Sequence, residues 1–161
     1  MKKWMAYWLP VIVWAGVIFY SSSQPYKKQD LKPTLTEYLP LHMIDSAFSW
    51  VKFDYAGDEV SIQHLGAADF VQFFIRKFAH FSVYFILAFL LYRAIRQYLR
   101  EVAAFILSLL STVLYAASDE FHQHFTGGRS PHVEDVILDS VGGLIGLILV
   151  FFIYKKIKLK K

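Results

Sequence analysis

Residues 136–154 read VILDSVGGLIGLILVFFIY, a run of nineteen residues in which Asp139 is the only charged side chain. A helix that crosses the hydrocarbon layer of a membrane needs about 20 predominantly apolar residues. Three further stretches contain no Lys, Arg, Asp or Glu, namely residues 5–20, 78–92 and 102–118. We therefore predict an all-α fold with four transmembrane helices, over residues 4–21, 73–94, 102–122 and 135–155.

The composition favours a membrane protein and excludes cysteine chemistry. The chain has 161 residues, of which 56% are hydrophobic, and its mean hydropathy is +0.38. This length is typical of one domain, so we expect a single domain over residues 1–161. Because the chain has no cysteine, disulfides, thiolate zinc sites and cysteine nucleophiles are excluded.

The first apolar run also resembles a secretory signal peptide, because Lys2 and Lys3 precede it and serines 21–23 follow it. No Ala-x-Ala-like cleavage site is present, however. The three tryptophans of this run and Pro10 fit a retained helix with aromatic anchors at the membrane interface. We expect the run to be retained.

The distribution of charge predicts the orientation. If the amino terminus is cytoplasmic, the segments on that side hold ten basic residues and one acidic residue, whereas seven basic and twelve acidic residues remain elsewhere. Basic residues concentrate on the cytoplasmic side of membrane proteins. We therefore expect a multi-pass membrane protein with both termini in the cytoplasm. The net charge of +4 then reflects topology and does not indicate binding to nucleic acid.

The predicted extracytoplasmic segment, residues 22–72, is long and contains three prolines. Apolar residues recur at roughly helical spacing between Leu35 and Trp50. This pattern predicts an amphipathic helix that lies on the bundle or on the outer leaflet. Residues 60–64 have a strand-like pattern, and Gly66 separates them from the second span.

The second span carries a polar stripe made of Arg76, Lys77, His80 and Tyr84. Residues three, four or seven apart share one face of a helix, so these four side chains project together. One interpretation is a ligand site with two cations. The alternative is that the cations extend to the interface while His80 bonds a neighbouring helix.

Acidic residues gather where the third span ends. Asp119 and Glu120 are adjacent, and Gln123 lies one helical turn beyond Asp119. Ionisable groups at the end of a membrane span are costly to bury unless they are paired. The expected cationic partners of the two acids are Arg76, Lys77 and Arg129. A purely structural salt-bridge network is the alternative.

The fourth span begins with another pair of carboxylates. Asp139 lies one turn inside Asp135, so it needs a partner, and the candidates are Arg129, Arg76, Lys77 and His80. The spacing of Gly142 and Gly146 predicts close packing against another helix.

The connection between the third and fourth spans contains Gly127 and Gly128 followed by Arg129. Glycines permit a close approach of the backbone to a ligand, and a guanidinium group suits phosphate or carboxylate. A plain turn is the alternative.

All six histidines lie on the predicted outer side, which makes a metal site conceivable. His122 and His124 are two apart and diverge on a helix, and no HExxH-like pair is present. We therefore expect no metal site, and the residues identify no cofactor.

These residues resemble the VanZ-like family. The resemblance rests on Ser21-Ser-Ser-Gln-Pro25, Arg76-Lys-Phe-Ala-His80 with Tyr84, Ser118-Asp-Glu-Phe-His-Gln123, Gly128-Arg129 with Asp135, and the glycines at 142 and 146. It implies a small bacterial polytopic membrane protein, from a family whose founding member is associated with low-level resistance to the glycopeptide teicoplanin. Two positions depart from the family pattern, because Gly127 stands where proline is common and Asp139 stands where we expect asparagine.

Three functions are compatible with this pattern. The first is binding or remodelling of an anionic lipid or lipid-linked envelope precursor, with Arg76, Lys77, Tyr84, Gln123, Arg129, Asp135 and Asp139 as ligand-binding residues. The second is a membrane-embedded hydrolase or transferase, in which Glu120 or Asp119 would be the general base and His80 an acid or base. The third is a scaffold or partner protein without catalysis. No nucleophile motif such as Gly-x-Ser-x-Gly is present, and the sequence does not indicate the oligomeric state.

Overall fold

The computed structural model describes residues 2–127 and 132–159. Four long helices dominate it and are designated α1 (Lys2–Ser22), α5 (Ala67–Ile95), α6 (Glu101–Gly127) and α7 (Val133–Leu159). Each is long and apolar enough to cross a membrane, and each contains one predicted span. The architecture is that of a multi-pass membrane protein. Helix α5, which contains the second predicted span, begins at Ala67 rather than at residue 73. It starts directly after Gly66, whose φ is 81°.

The core of the bundle lies where α5, α6 and α7 meet. Gly142 and Gly146 of α7 face the backbone of α5, and a Cβ atom added at either one would overlap the carbonyl oxygen of Phe81 or Phe85. Small residues at such positions let two helix backbones approach each other closely. The predicted close packing at this glycine pair is therefore confirmed.

The first helix is attached to the others by side chains that reach backbone carbonyls. Pro10 has no N–H, so the carbonyl of Ala6 has no partner within the helix. The guanidinium group of Arg93 donates to this carbonyl at 2.9 Å. The indole of Trp14 donates to the carbonyl of Val83, also at 2.9 Å. Both bonds fix α1 against α5.

The segment between α1 and α5 contains a β-hairpin, which the prediction of an all-α fold did not include, although the described chain is mostly helical. Strand β1 (Lys52–Tyr55) pairs antiparallel with β2 (Asp58–Ser61). The two residues of the turn, Ala56 and Gly57, have φ angles of 54° and 86°. Positive φ at both positions is typical of the tight turns that match the twist of a hairpin. Of the strand-like residues 60–64, only the first two are in a strand.

The single helix predicted between Leu35 and Trp50 is interrupted. The structure has two short helices instead, α2 (Lys32–Tyr38) and α3 (Leu41–Phe48). Leu39, which precedes Pro40, is extended with φ −104° and ψ 141°. Proline disfavours helical backbone in the residue before it and lacks the N–H that a continuing helix needs, which explains the break.

The same segment packs on the first turns of α5. After α3 and the hairpin, α4 (Ile62–Leu65) leads into α5, and Val60, Ile62 and Phe70 form a small buried core. The side chain of Gln72, only 1% exposed, accepts a hydrogen bond from the backbone N–H of Leu31 at 2.5 Å. These contacts hold the segment over one end of the bundle.

Candidate functional site

The predicted site residues lie at the end of the bundle where α1 and α6 end and α5 and α7 begin. Asp119, Glu120, Gln123 and Asp139 are buried there, with exposed fractions between 3% and 7%. We call the nine described residues the polar cluster, namely Arg76, Lys77, His80, Tyr84, Asp119, Glu120, Gln123, Asp135 and Asp139. The tenth predicted residue, Arg129, lies outside the residues that the structure describes.

Lys77 and Asp135 form an ion pair that joins α5 to α7. Their side chains are 22% and 18% exposed. Tyr55 of the hairpin donates its hydroxyl hydrogen to Asp135 Oδ1 at 2.5 Å, and the Lys77 ammonium lies 4.3 Å from the centre of the Tyr55 ring. Burial and the hydrogen bond to Asp135 raise the pKa of Tyr55, so the phenol stays protonated and keeps donating. The hairpin is thereby fastened to the bundle.

Asp139 lies one turn deeper than Asp135 and faces the imidazole of His80. The distance from Asp139 Oδ2 to His80 Nδ1 is 3.6 Å, and the Asp139 side chain is 4% exposed. His80 was one of four partners that the sequence allowed. A protonated imidazole would balance the charge of this deep carboxylate.

Within the described residues, Asp119 and Glu120 each have a partner that the sequence analysis did not propose. Gln123 donates an amide hydrogen to Asp119 Oδ2 at 3.2 Å, and the backbone N–H of His132 donates to Glu120 Oε1 at 2.8 Å. Lys77, a predicted partner of these two acids, pairs with Asp135 in the first turn of α7.

Two cavities adjoin the polar cluster. The first, which we call the α1 cavity, has a volume of about 160 Å³ and lies between α1, α5 and α6. The second, the hairpin cavity, has a volume of about 430 Å³ and lies between the hairpin and the beginnings of α5 and α7. Gln29, Arg76 and His80 line both cavities, and Arg76 donates to the Gln29 carbonyl at 3.0 Å. The guanidinium group of Arg76 thus lies where the two spaces adjoin.

The cavities divide the cluster into two groups. Tyr84, Asp119 and Gln123 line the α1 cavity, whereas Lys77 and Asp135 line the hairpin cavity. Glu120 and Asp139, which the sequence placed in the same site, line neither of them. A ligand in either space would therefore meet a cation and a carboxylate together.

A model of the family described as VanZ/LLP1 matches residues 7–154, most of the chain and all of the polar cluster. The chain belongs to the VanZ/LLP1 family. The resemblance that the sequence motifs predicted is confirmed. No match was found among curated proteins or among solved structures.

Sequence reasoning missed three residues that shape the site in this VanZ/LLP1 protein. Gln72 precedes Arg76 by four residues, so it lies on the same helical face as the polar stripe. The same spacing argument could therefore have predicted it. Tyr55 and Gln29 belong to a segment that folds back over the bundle, and no local pattern marks them. Their contacts depend on tertiary structure alone.

The described residues offer no evident metal centre. Within residues 2–127 and 132–159, no three His, Asp or Glu side chains are arranged to hold one ion. The carboxylates of the cluster are instead distributed among different partners, namely Lys77, His80, Gln123 and the backbone of His132.

Proposed function

We propose that this VanZ/LLP1 protein binds or remodels the head group of an anionic lipid or lipid-linked cell-envelope precursor. The polar cluster would face the outside of the bacterial plasma membrane. Support comes from the opposite end of the bundle, where Arg93, Arg96 and Arg100 surround the connection between α5 and α6. By the positive-inside tendency, that end and both termini would lie in the cytoplasm and the segment between α1 and α5 outside.

The observation that carries the proposal is the position of Arg76 between two cavities. A guanidinium group presents a planar fork of N–H donors that matches the oxygens of a phosphate. It lies within a helix long and apolar enough to span a membrane, ten positions into α5. An anionic head group at that depth would gain a charge-assisted contact away from bulk water.

The closeness of the α1 cavity to the lipid phase supports the same function. One wall of the α1 cavity is formed by α1, and only 11% of the apolar window of α1 is buried. A lipid beside α1 is therefore next to the cavity. The volume of about 160 Å³ is below the roughly 300–1,000 Å³ of pockets for drug-sized molecules, so it suits a head group.

The short helix α3 and the residues after it would lie in the interface of the outer leaflet. Met43, Phe48 and Trp50 are 60%, 45% and 79% exposed. Exposed aromatic and apolar side chains of this kind are typical of the boundary between lipid head groups and acyl chains. This position would present the cluster to lipids in that leaflet.

Because the family's founding member is associated with teicoplanin resistance, we extend the proposal to a role in tolerance of this glycopeptide. A protein that binds or remodels an envelope precursor changes what a glycopeptide meets at the cell surface. We expect expression to raise teicoplanin tolerance slightly and Arg76→Gln to abolish the gain without lowering the protein level. If Arg76→Gln instead lowers tolerance only in proportion to a lower protein level, the result would favour a scaffold function.

The direct test is binding of a short-chain phospholipid to the purified protein. Arg76→Gln removes the cation, and we expect an affinity about 10- to 150-fold lower, since hydrogen bonds to charged groups contribute about 1.5–3 kcal/mol. Arg100→Gln is the control, because Arg100 is an exposed arginine at the other end of the bundle. Equal affinities for Arg76→Gln and the unaltered protein would contradict the proposal. Release of phosphate from the lipid would identify a hydrolase at the same site.

A further inference from the structure

We infer that the hairpin cavity receives a sugar, so that the ligand is an anionic lipid whose phosphate is esterified to a glycosyl group. The inference rests on the proposed function and narrows its ligand class. The volume of the hairpin cavity and the charged side chains that line it carry the inference. The phosphate at Arg76 remains the anionic part of the ligand.

The two cavities differ in size and in the helices that surround them. The hairpin cavity, at about 430 Å³, has room for roughly fourteen waters at about 30 Å³ each, whereas the α1 cavity, at about 160 Å³, has room for roughly five. Only the larger cavity falls within the roughly 300–1,000 Å³ of pockets for whole small molecules. Its described lining residues include none from α1, the helix proposed to border the lipid. A bulky hydrophilic group therefore fits the hairpin cavity.

Arg76 determines where the two parts of the ligand join. Its side chain lines both cavities. A phosphodiester has two ester substituents, so a phosphate held at Arg76 can extend one of them toward α1 and the other into the hairpin cavity. The first would be the lipid chain, and the second would be the glycosyl group.

A ligand in the hairpin cavity can reach charged side chains that are partly exposed. Lys32 of α2 and Asp69 in the first turn of α5 line the cavity and form an ion pair at 3.5 Å. Their side chains are 43% and 34% exposed. Glu59 of the hairpin also lines the cavity, and its side chain is 32% exposed. Hydrogen bonds to these groups require no rearrangement of the buried core.

The charges around the hairpin cavity favour a neutral, hydroxyl-rich group over a second ion. The described lining residues include three cations and four carboxylates, namely Lys32, Arg76, Lys77, Asp58, Glu59, Asp69 and Asp135. Two of the cations already pair with two of the carboxylates. A sugar hydroxyl can donate to a carboxylate and accept from an ammonium group, so it can use both kinds of side chain. The rings of Tyr55 and Phe73 offer apolar surface to the C–H groups of a sugar.

The test compares dissociation constants of the purified full-length protein for two phosphodiesters of one short-chain alcohol. The second ester group is glucose in one and methyl in the other, so both are singly charged anions and the comparison isolates the sugar. We expect the glucosyl diester to bind about tenfold or more tightly, because its hydroxyls form hydrogen bonds to charged groups. Asp69→Asn should reduce this preference, because a neutral amide replaces a charged acceptor.

Two further variants keep the result interpretable. Lys32→Gln removes the cation of the ion pair and should also reduce the preference, which gives a second reading if Asp69→Asn does not fold. Asp45→Asn is the matched control and should keep the full preference, because Asp45 is exposed in the same segment and lines neither cavity. Methyl glucosyl phosphate has no lipid chain and should bind more weakly than the glucosyl diester of the alcohol.

The outcomes separate this inference from the proposed function. Equal binding of the two diesters by the unaltered protein would overturn the inference but leave the proposed function standing. A preference that persists in both Asp69→Asn and Lys32→Gln would also overturn it, because the sugar would then lie elsewhere. Methyl glucosyl phosphate that binds as tightly as the glucosyl diester of the alcohol would contradict the lipid part of the ligand. Failure to bind either diester would remove both the inference and the proposed function.

Discussion

Gly146→Ala places a methyl group where α7 meets the backbone of α5. A Cβ atom at this position would lie 3.2 Å from Phe85 Cα and closer still to the Phe85 carbonyl oxygen. Backbone atoms cannot rotate away as a side chain can, so the two helices must separate. Overpacking of this kind typically costs about 1–3 kcal/mol.

The chain offers a matched control at Gly16 in α1. A Cβ atom at Gly16 would meet nothing within 4 Å. Both substitutions gain the same helix propensity, about 1 kcal/mol for glycine to alanine, so this contribution cancels in the comparison. The two variants should therefore differ by the overpacking cost alone, which is about a 5- to 150-fold difference in the unfolding equilibrium constant.

The assay is reversible unfolding in mixed micelles, followed by circular dichroism at increasing denaturing detergent. We expect Gly16→Ala to unfold at or slightly above the midpoint of the unaltered protein and Gly146→Ala clearly below it. Coincident curves for the two variants would refute the close packing of α5 and α7. Gly142→Ala, which meets Phe81 in the same way, should repeat the Gly146 result.

Three further predictions concern the site and its orientation. Tyr55→Phe removes the donor to Asp135, so we expect the hairpin to become more sensitive to protease, with a loss of about 1.5–3 kcal/mol in its docking. Lys77→Met leaves Asp135 without its cation and should lower the free energy of unfolding by about 3–5 kcal/mol, and Lys77→Met/Asp135→Leu should recover most of it. Because the chain has no cysteine, Tyr38→Cys should react with an impermeant maleimide in intact cells and Tyr98→Cys should not. The reverse labelling would contradict the orientation.

The four long helices were predictable because each contains a long stretch dominated by apolar residues, and such stretches are set by local composition. The glycine pair of α7 was predictable for the same reason, since its spacing alone places both residues on one face. The contact of Asp139 with His80 was among the partners that spacing allowed. The helices and the glycine pair depend on composition and spacing within one helix, whereas the choice of His80 among the four candidate partners depends on how α5 and α7 pack.

The remaining features depend on contacts between distant parts of the chain. The hairpin that supplies Tyr55 is 80 residues from Asp135, and nothing near residue 55 indicates that contact. The break at Pro40 could have been predicted, since proline restricts the residue before it. The helical spacing of the apolar residues around it favoured a single continuous helix instead. The division of the polar cluster between two cavities required the tertiary arrangement of α1, α5, α6 and α7.

The most direct test of the central claim is an experimental structure of the protein purified with lipids from its own membrane. The account predicts a lipid head group in the α1 cavity, with its phosphate within hydrogen-bonding distance of Arg76 and its acyl chains beside α1. A cavity that contains only water, while lipids occupy other positions on the bundle, would contradict it.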